Sequence, residues 1–207
     1  MRYRRIPDET VRRLPVYLRG LLFTSEQGLE NISSQDLGDL VGINAWQIRK
    51  DFSYFGGLGT RGVGYSVEKL TTQIKKILKL ATLQKAALVG VGNIGSAVLA
   101  YTGFAKYGLN IAAAFDVDSK KIGRKIDHVI VQDISNLWKL KKQNIKLGII
   151  AVPRQAAQDT ADRLVKAGIK GVLNFSPCHI AVPNKVKAIT IDIAMDLARL
   201  PYYLPAS

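Results

Sequence analysis

The sequence predicts an α/β chain: an N-terminal winged helix-turn-helix domain followed by a Rossmann-like, doubly wound parallel sheet. Three stretches carry that expectation. Residues 33–55, SSQDLGDLVGINAWQIRKDFSYF, pair two short helical patterns across a glycine turn. Residues 56–65, GGLGTRGVGY, hold five glycines and one arginine, the composition of a flexible hairpin. Residues 86–95, AALVGVGNIG, set a glycine fingerprint between an apolar run and the start of a helix.

Taken in chain order, the first helix is expected over Glu9–Phe23, with Pro15 as an interruption. Ser33-x-x-Asp36 reads as a capping box for a helix over Ser34–Val41. Gly42, Ile43 and Asn44 make the turn, and Asn44 caps a third helix whose Gln47 would return the bond. Ala45, Ile48, Phe52 and Phe55 share one face of that helix and are expected to be buried. The other directions carry Trp46, Gln47, Arg49, Lys50, Ser53 and Tyr54.

These are the side chains a major-groove helix uses. Arg49 and Lys50 can donate to guanine O6 and N7 or to phosphates, Gln47 can pair with adenine, and Ser53 and Tyr54 suit phosphates. Arg61, at the tip of the glycine-rich hairpin, suits a minor groove. The same pattern also fits an ordinary helical hairpin with a solvated basic face. The glycines also fit a phosphate cradle or a linker.

Residues 67–81 form an amphipathic connector, with Val67, Leu70, Ile74, Ile77, Leu78 and Ala81 at helical spacing. Beyond it, strands are expected at Ala86–Val89, Ile111–Phe115, Val129–Val131, Leu147–Val152, Gly171–Asn174 and Ala188–Ile191. Helices are expected at Ile94–Tyr107, Ile134–Lys142, Gln155–Ala167 and Ile193–Leu200. This alternation reads as a parallel sheet covered on both faces.

The fingerprint Gly90-x-Gly92-x-x-Gly95 has a separate steric task for each glycine: a tight turn, approach of backbone to a pyrophosphate, and close helix–strand packing. The helix opening at Asn93 and Ile94 offers free N–H groups to that anion, with Asn93 and Ser96 as side-chain donors. Asp116 ends the next strand, where a carboxylate accepts ribose hydroxyls and repels a 2′-phosphate, so NAD is expected over NADP. Asp116 also fits a plain strand-end cap, and Lys120, Lys121 and Arg124 would offset the repulsion. Val152-Pro153 and Asn174 with Ser176-Pro177 lie at later strand ends, bordering the nicotinamide side or simply ending loops.

Other classes fit less well. Apolar residues make up 47% of the chain, so a packed core is expected. A count of 30 Lys and Arg against 16 Asp and Glu gives +14, which favours a polyanionic partner. The excess divides evenly, +6 over residues 1–85 and +8 over 86–207, so charge does not locate the DNA-binding part. Cys178 is the only cysteine, which excludes an intrachain disulfide and a thiolate metal cluster and fits a reducing, cytoplasmic setting. No signal-peptide or membrane-spanning run is present. His128 and His179 lack metal-ligand neighbours, and no catalytic residue or metal site is expected. The alternatives are a small NAD(H)-dependent oxidoreductase, with His179 beside Cys178 as its base, and a nucleoid protein indifferent to NADH.

The assembled residues resemble the Rex family of redox-sensing transcriptional repressors. The resemblance is carried by QIRKDFSYFGGLGTRGVGY at 47–65, VGVGNIGSA at 89–97, FDVDSKKIG at 115–123, AVPRQAAQ at 151–158 and GIKGVLNFSP at 168–177. It implies a homodimer that binds double-stranded operator DNA when free or carrying NAD⁺ and is released by NADH. It implies a DNA-binding domain with connector over 1–81, a dinucleotide domain over 82–191, and a swapped helix with tail over 192–207. It assigns DNA contacts to Arg49, Lys50 and Arg61. It assigns redox reading to Tyr101, to Asp192 beside the swapped helix, and to a basic partner on the first helix, matched to Arg13. The family's best-known form has Phe directly after the acidic residue; here Ile193 stands there, which removes aromatic stacking at that position.

Overall fold

The computed structural model describes residues 6–56, 59–60 and 62–204, so the expected wing residue Arg61 lies outside the described residues. The chain divides into two compact units, Met1–Thr82 and Leu83–Ser207.

The first unit opens with α1 (Asp8–Glu26), which runs straight through Pro15. Proline at this position cannot bond the carbonyl of Val11. Both residues lie on the exposed face, where water can serve that oxygen, so the helix continues past the expected break. After β1 (Asn31–Ile32) come α2 (Ser34–Val41) and α3 (Ala45–Ser53). The N-cap half of the capping box forms at α2, where Ser33 Oγ accepts from the Asp36 N–H at 3.0 Å and donates to Asp36 Oδ2 at 2.6 Å. Gly42, in the left-handed region at φ 69°, ends that helix. β2 (Gly59–Thr60) and β3 (Gly64–Ser66) pair antiparallel, and β3 also pairs with β1. The strand at β1 was not expected; two residues carry too little pattern to be seen in sequence.

The connector is α4 (Val67–Ile77), packed against α1 within the first unit. Val67, Leu70 and Ile74 are buried as the periodicity predicts, whereas Ala81 lies past the helix end and is exposed. Leu14, Leu18 and Leu21 of α1, Leu37, Ile48 and Phe52 complete this core.

The second unit is a seven-stranded sheet in the order β10-β9-β8-β4-β5-β7-β6. Its strands are β4 (Gln84–Val89), β5 (Leu109–Asp116), β6 (Lys125–Ile126), β7 (Val129–Asp133), β8 (Leu147–Ile150), β9 (Gly171–Asn174) and β10 (Lys187–Thr190). All pairings are parallel except β6 with β7, a short edge ribbon absent from the sequence reading. From β4 the chain goes first to β5 and later to β8 on the other side. The order therefore reverses between β4 and β8, the place where α/β sheets bind ligands. Alternate strand residues feed opposite cores: Ala87, Val89 and Phe115 meet α7 (Arg154–Lys166), while Ala86, Leu88 and Ile111 gather on the face that holds Leu99 of α5 (Asn93–Ala100).

Three expected helices are shorter. The helix predicted over Ile94–Tyr107 stops at Ala100. Tyr101 is extended, and Thr102–Tyr107 follow as a 3₁₀ helix. The Tyr101 ring folds over Gly103, where a Cβ would stand 2.3 Å from the ring. Residues 134–142 form a 3₁₀ turn, Ile134–Trp138, and one α turn, α6 (Lys139–Lys142). The last helix, α8 (Ile193–Ala198), ends two residues early. Pro201 then lies inside a 3₁₀ turn, Leu200–Tyr203, instead of stopping the helix. Among the described residues no helix is long and apolar enough to cross a membrane.

Candidate functional site

The outward side of α3 is set by what its other side must bury. Asn44 caps the helix by accepting from the Trp46 N–H at 2.7 Å. Gln47 does not return that bond; it is half-buried and donates to Asp51 Oδ1 at 2.9 Å. Asp51, 1% exposed, also accepts from Thr10 Oγ1 (2.9 Å), Tyr17 Oη (2.6 Å), Arg13 Nε (2.6 Å) and Arg13 Nη2 (2.9 Å). Burial alone would raise the Asp51 pKa, but the bonds from Arg13, Tyr17, Thr10 and Gln47 outweigh it and hold the carboxyl below its usual value. The same contact raises the Arg13 guanidinium, while burial and then the carboxylate raise Tyr17.

Asp51 ties α1 to α3, and the sequence reading passed over it. The available signal was an acid on the buried arc of an otherwise basic helix, between Ile48 and Phe52. Tyr17 packs edge-on against Phe52 at 5.2 Å, and Phe52 against Tyr65 of β3 at 5.1 Å, so α1, α3 and the hairpin share one aromatic anchor. Arg13 is therefore committed to Asp51, while Arg19, also on α1, is exposed and has no ion pair among the described residues.

Arg49 and Lys50 face outward from this anchor. Arg49 Nη1 donates to Ser34 Oγ at 2.8 Å, which draws it toward α2, and Lys50 Nζ sits 5.0 Å over the exposed Trp46 ring. Ser53 donates to its own helix at the Lys50 carbonyl, and Tyr54 is half-buried. The clearest donors to a groove are thus Arg49 and Lys50.

In the second unit the glycine turn follows β4 directly. Gly90 has φ 93°, and a Cβ there would lie 2.4 Å from the Ala151 carbonyl. A Cβ at Gly95 would lie 1.9 Å from the Gly90 carbonyl, whereas at Gly92 it would meet open space. Gly90 and Gly95 are required by contact, and Gly92 leaves room for a ligand. α5 starts with no side-chain cap, so Asn93, Ile94 and Gly95 present their N–H groups at the positive end of the helix.

A cleft of about 480 Å³ adjoins this turn at the carboxyl ends of β4, β5 and β8. Gly90, Gly92, Asp116, Lys121, Val152 and Pro153 border it. Asp118, which the sequence reading did not single out, borders it too. Asp116 is 7% exposed and accepts from the N–H groups of Val91 (2.8 Å), Val117 (2.8 Å) and Asp118 (2.9 Å), and from Lys121 Nζ (3.2 Å). Burial would raise its pKa; the bonds from Asp118, Val91 and Lys121 outweigh it and lower the pKa. Its lone pairs hold the glycine turn and the β5 end together, so the strand-end cap is one role it performs in this structure.

Asn174 and Ser176 are likewise turned inward. Asn174 Nδ2 donates to the carbonyls of Ser176 (3.1 Å) and Cys178 (2.9 Å), and Ser176 Oγ donates to the Val152 carbonyl at 2.6 Å. They brace the cleft wall; Pro177 beside them is exposed. Tyr101 is exposed and stacks edge-on with Phe104 at 5.1 Å. Asp192 caps α8 by accepting from the Met195 N–H at 3.2 Å. His128 is held by Asp127 and the Ile111 carbonyl, His179 is exposed, and no metal-binding cluster occurs among the described residues.

Two family models match the chain: "Putative DNA-binding protein N-terminus" over residues 5–53 and "CoA binding domain" over 82–178. CoA and NAD share an adenosine diphosphate, so the second match does not choose between them. Proteins described as redox-sensing transcriptional repressor Rex match nearly end to end. That of Roseiflexus sp. (strain RS-1) is 44% identical over 199 residues, 96% of this chain and 90% of its own. That of Carboxydothermus hydrogenoformans is 45% identical over 199 residues, 96% of each. The structure of RSP, described as a Rex-family repressor, has been solved with beta-NAD⁺ and operator DNA. It matches with a TM-score of 0.88 at 37% identity, over 96% of this chain and 92% of that one. The RSP complex with beta-NADH matches with a TM-score of 0.85 at 36% identity, over 97% and 94%.

Proposed function

The chain belongs to the Rex family of redox-sensing transcriptional repressors, and we propose that it binds operator DNA as a homodimer in the cytoplasm and leaves it when NADH binds. The observation that carries the reading is one chain holding both devices: an anchored α3 with outward Arg49 and Lys50, and a glycine turn opening α5 onto a cleft. Arg61 is assigned to the wing from the sequence alone.

The cleft residues suit a dinucleotide. The free N–H groups at the start of α5 suit a pyrophosphate, and the Gly92 opening lets it approach. Asp116 holds the turn in shape at the cleft edge, and its carboxylate, partly offset by Lys121 Nζ at 3.2 Å, supports the reading of NAD(H) over a 2′-phosphorylated dinucleotide. Val152 and Pro153 give the wall an apolar surface. Such a wall prefers the neutral reduced ring to the charged oxidised one, because burying an unpaired charge is costly.

Dimerisation is supported by apolar surface left open in the single chain. Ile193, Met195, Leu197 and Leu200 are each more than half exposed on α8 and the turn after it. An apolar groove of about 230 Å³ also lies on the sheet face beside Leu147, Leu173 and Ile189. A helix exchanged between copies would cover α8. The switch is assigned to Tyr101, to Asp192 and to a cation of α1. Arg13 is held by Asp51, so we assign that cation to Arg19.

Fluorescence anisotropy of a pseudo-palindromic operator against a scrambled control, at fixed salt, tests the reading. NADH releases the operator at concentrations well below those at which NAD⁺ has any effect. Tight NADH binding without release returns the protein to the oxidoreductase class. Arg19→Ala blunts release while leaving NADH affinity intact; release matching the unaltered protein removes Arg19 from the switch.

A further inference from the structure

We infer that the second unit carries its own nucleic-acid-binding surface, a row of lysines at the sheet end opposite the glycine turn, together with the exposed indole of Trp138 at the start of the α6 turn that leads into β8. The pairings Ala86 with Leu147 and Leu147 with Gly171 put the preceding residues, Lys85, Lys146 and Lys170, side by side at the starts of β4, β8 and β9. All three are exposed. Adjacent strands run about 4.8 Å apart, so these ammonium groups start from neighbouring positions. Like charges so placed repel and destabilise a sheet. Among the described residues none of the three is in an ion pair, and residues 69–115, 134–158 and 163–191 contain no Asp or Glu.

The row continues around the bottom of the sheet. The Lys141 stem lies beside Gly168, just past α7. Trp138 is 55% exposed, with Lys142 Nζ 5.0 Å and Lys139 Nζ 5.7 Å from its ring. Lysines that track phosphates next to an aromatic face that takes a base are the two parts of a sequence-tolerant nucleic-acid site. An acidic peptide would meet the lysines and leave the indole unused. This surface also contributes much of the charge of the second unit, +9 over residues 83–207, which the dinucleotide cleft does not require. It would let the protein hold a polynucleotide beyond the operator contacts of α3.

The test uses the full chain with Trp46→Phe, which leaves Trp138 as the single indole. A non-operator single-stranded oligonucleotide at low salt is expected to quench Trp138 fluorescence, and added salt to reverse it. The Lys85→Gln/Lys146→Gln/Lys170→Gln variant loses the quench, and its salt slope falls by about 2 for three lost phosphate contacts. The matching triple arginine variant retains both, and thermal melting by circular dichroism confirms that each variant is folded. Absence of quenching, or quenching unchanged in the glutamine variant, overturns the inference. Polyglutamate competing as well as the oligonucleotide also overturns it, in favour of an acidic protein partner.

Discussion

Each unit is organised around one buried aspartate, and the two aspartates work differently. Asp51 accepts only from side chains, three of them on α1, between 34 and 41 residues away in sequence. Asp116 accepts chiefly from backbone N–H groups, two of them on the two residues that follow it and one, Val91, across the glycine turn. The first joins two helices and so fixes the attitude of the outward side of α3, the side proposed to meet DNA. The second shapes a turn whose remaining N–H groups stay available for an anion. A buried carboxylate met by side chains is a tertiary clamp; one met by backbone is a template for a ligand.

The largest effect expected from this contrast is on stability in the first unit. Asp51→Ala leaves the Arg13 and Tyr17 donors without their partner and costs about 3 kcal/mol, read by urea unfolding. Operator binding falls with it, while NADH titration of the folded fraction is unaltered. A comparable loss of NADH affinity would mean the two aspartates do not act on separate units.

Next, Arg49→Ala or Lys50→Ala weakens operator binding by about 2 kcal/mol where the residue makes a bidentate base contact. Equal loss on scrambled DNA demotes either one to a phosphate contact. In the second unit, Asp116→Ala weakens NADH binding about tenfold, or about 1.4 kcal/mol, with ligand-free operator binding intact. Unchanged NADH affinity would end the assignment of Asp116 to the dinucleotide site. Asp116→Asn sharpens the test: it keeps a bond acceptor and loses the charge, so it relaxes discrimination against NADPH if the charge is what discriminates.

The smallest effect is on pH dependence. Asp51 is held below its ordinary value of 3.8, so its contribution is fully present above that value and is lost as pH falls through the lowered one. The stability difference between the unaltered protein and Asp51→Asn therefore narrows only below about pH 4, as seen in acid denaturation. A difference that narrows near neutral pH would show that another group controls the clamp.

Much of this was legible in sequence because it is local. Gly90 and Gly95 signal close backbone contacts that only a missing Cβ permits. Ser33 and Asn44 cap the helices that follow them, and the six apolar runs become the parallel strands of the sheet. Period and cap chemistry act over a few residues, so a linear reading recovers them. The ends of elements were less legible: the helix before Tyr101 stops where a ring folds over a glycine, and Pro15 is passed because its face is wet.

What tertiary structure alone decided is where each polar side chain goes. Gln47 reads in sequence as a base-reading residue, and the family resemblance matches Arg13 to a switch cation; in this structure both donate to Asp51. Asn174 and Ser176, expected to border the nicotinamide side, also bond within the cleft wall. A buried charge must find partners wherever the fold brings them, and that demand outweighs the outward role a helix position suggests. The sequence by itself determined the two units, their order and their chemistry. The packing of α1 on α3, and of the glycine turn on the end of β5, determined which residues are left free to act.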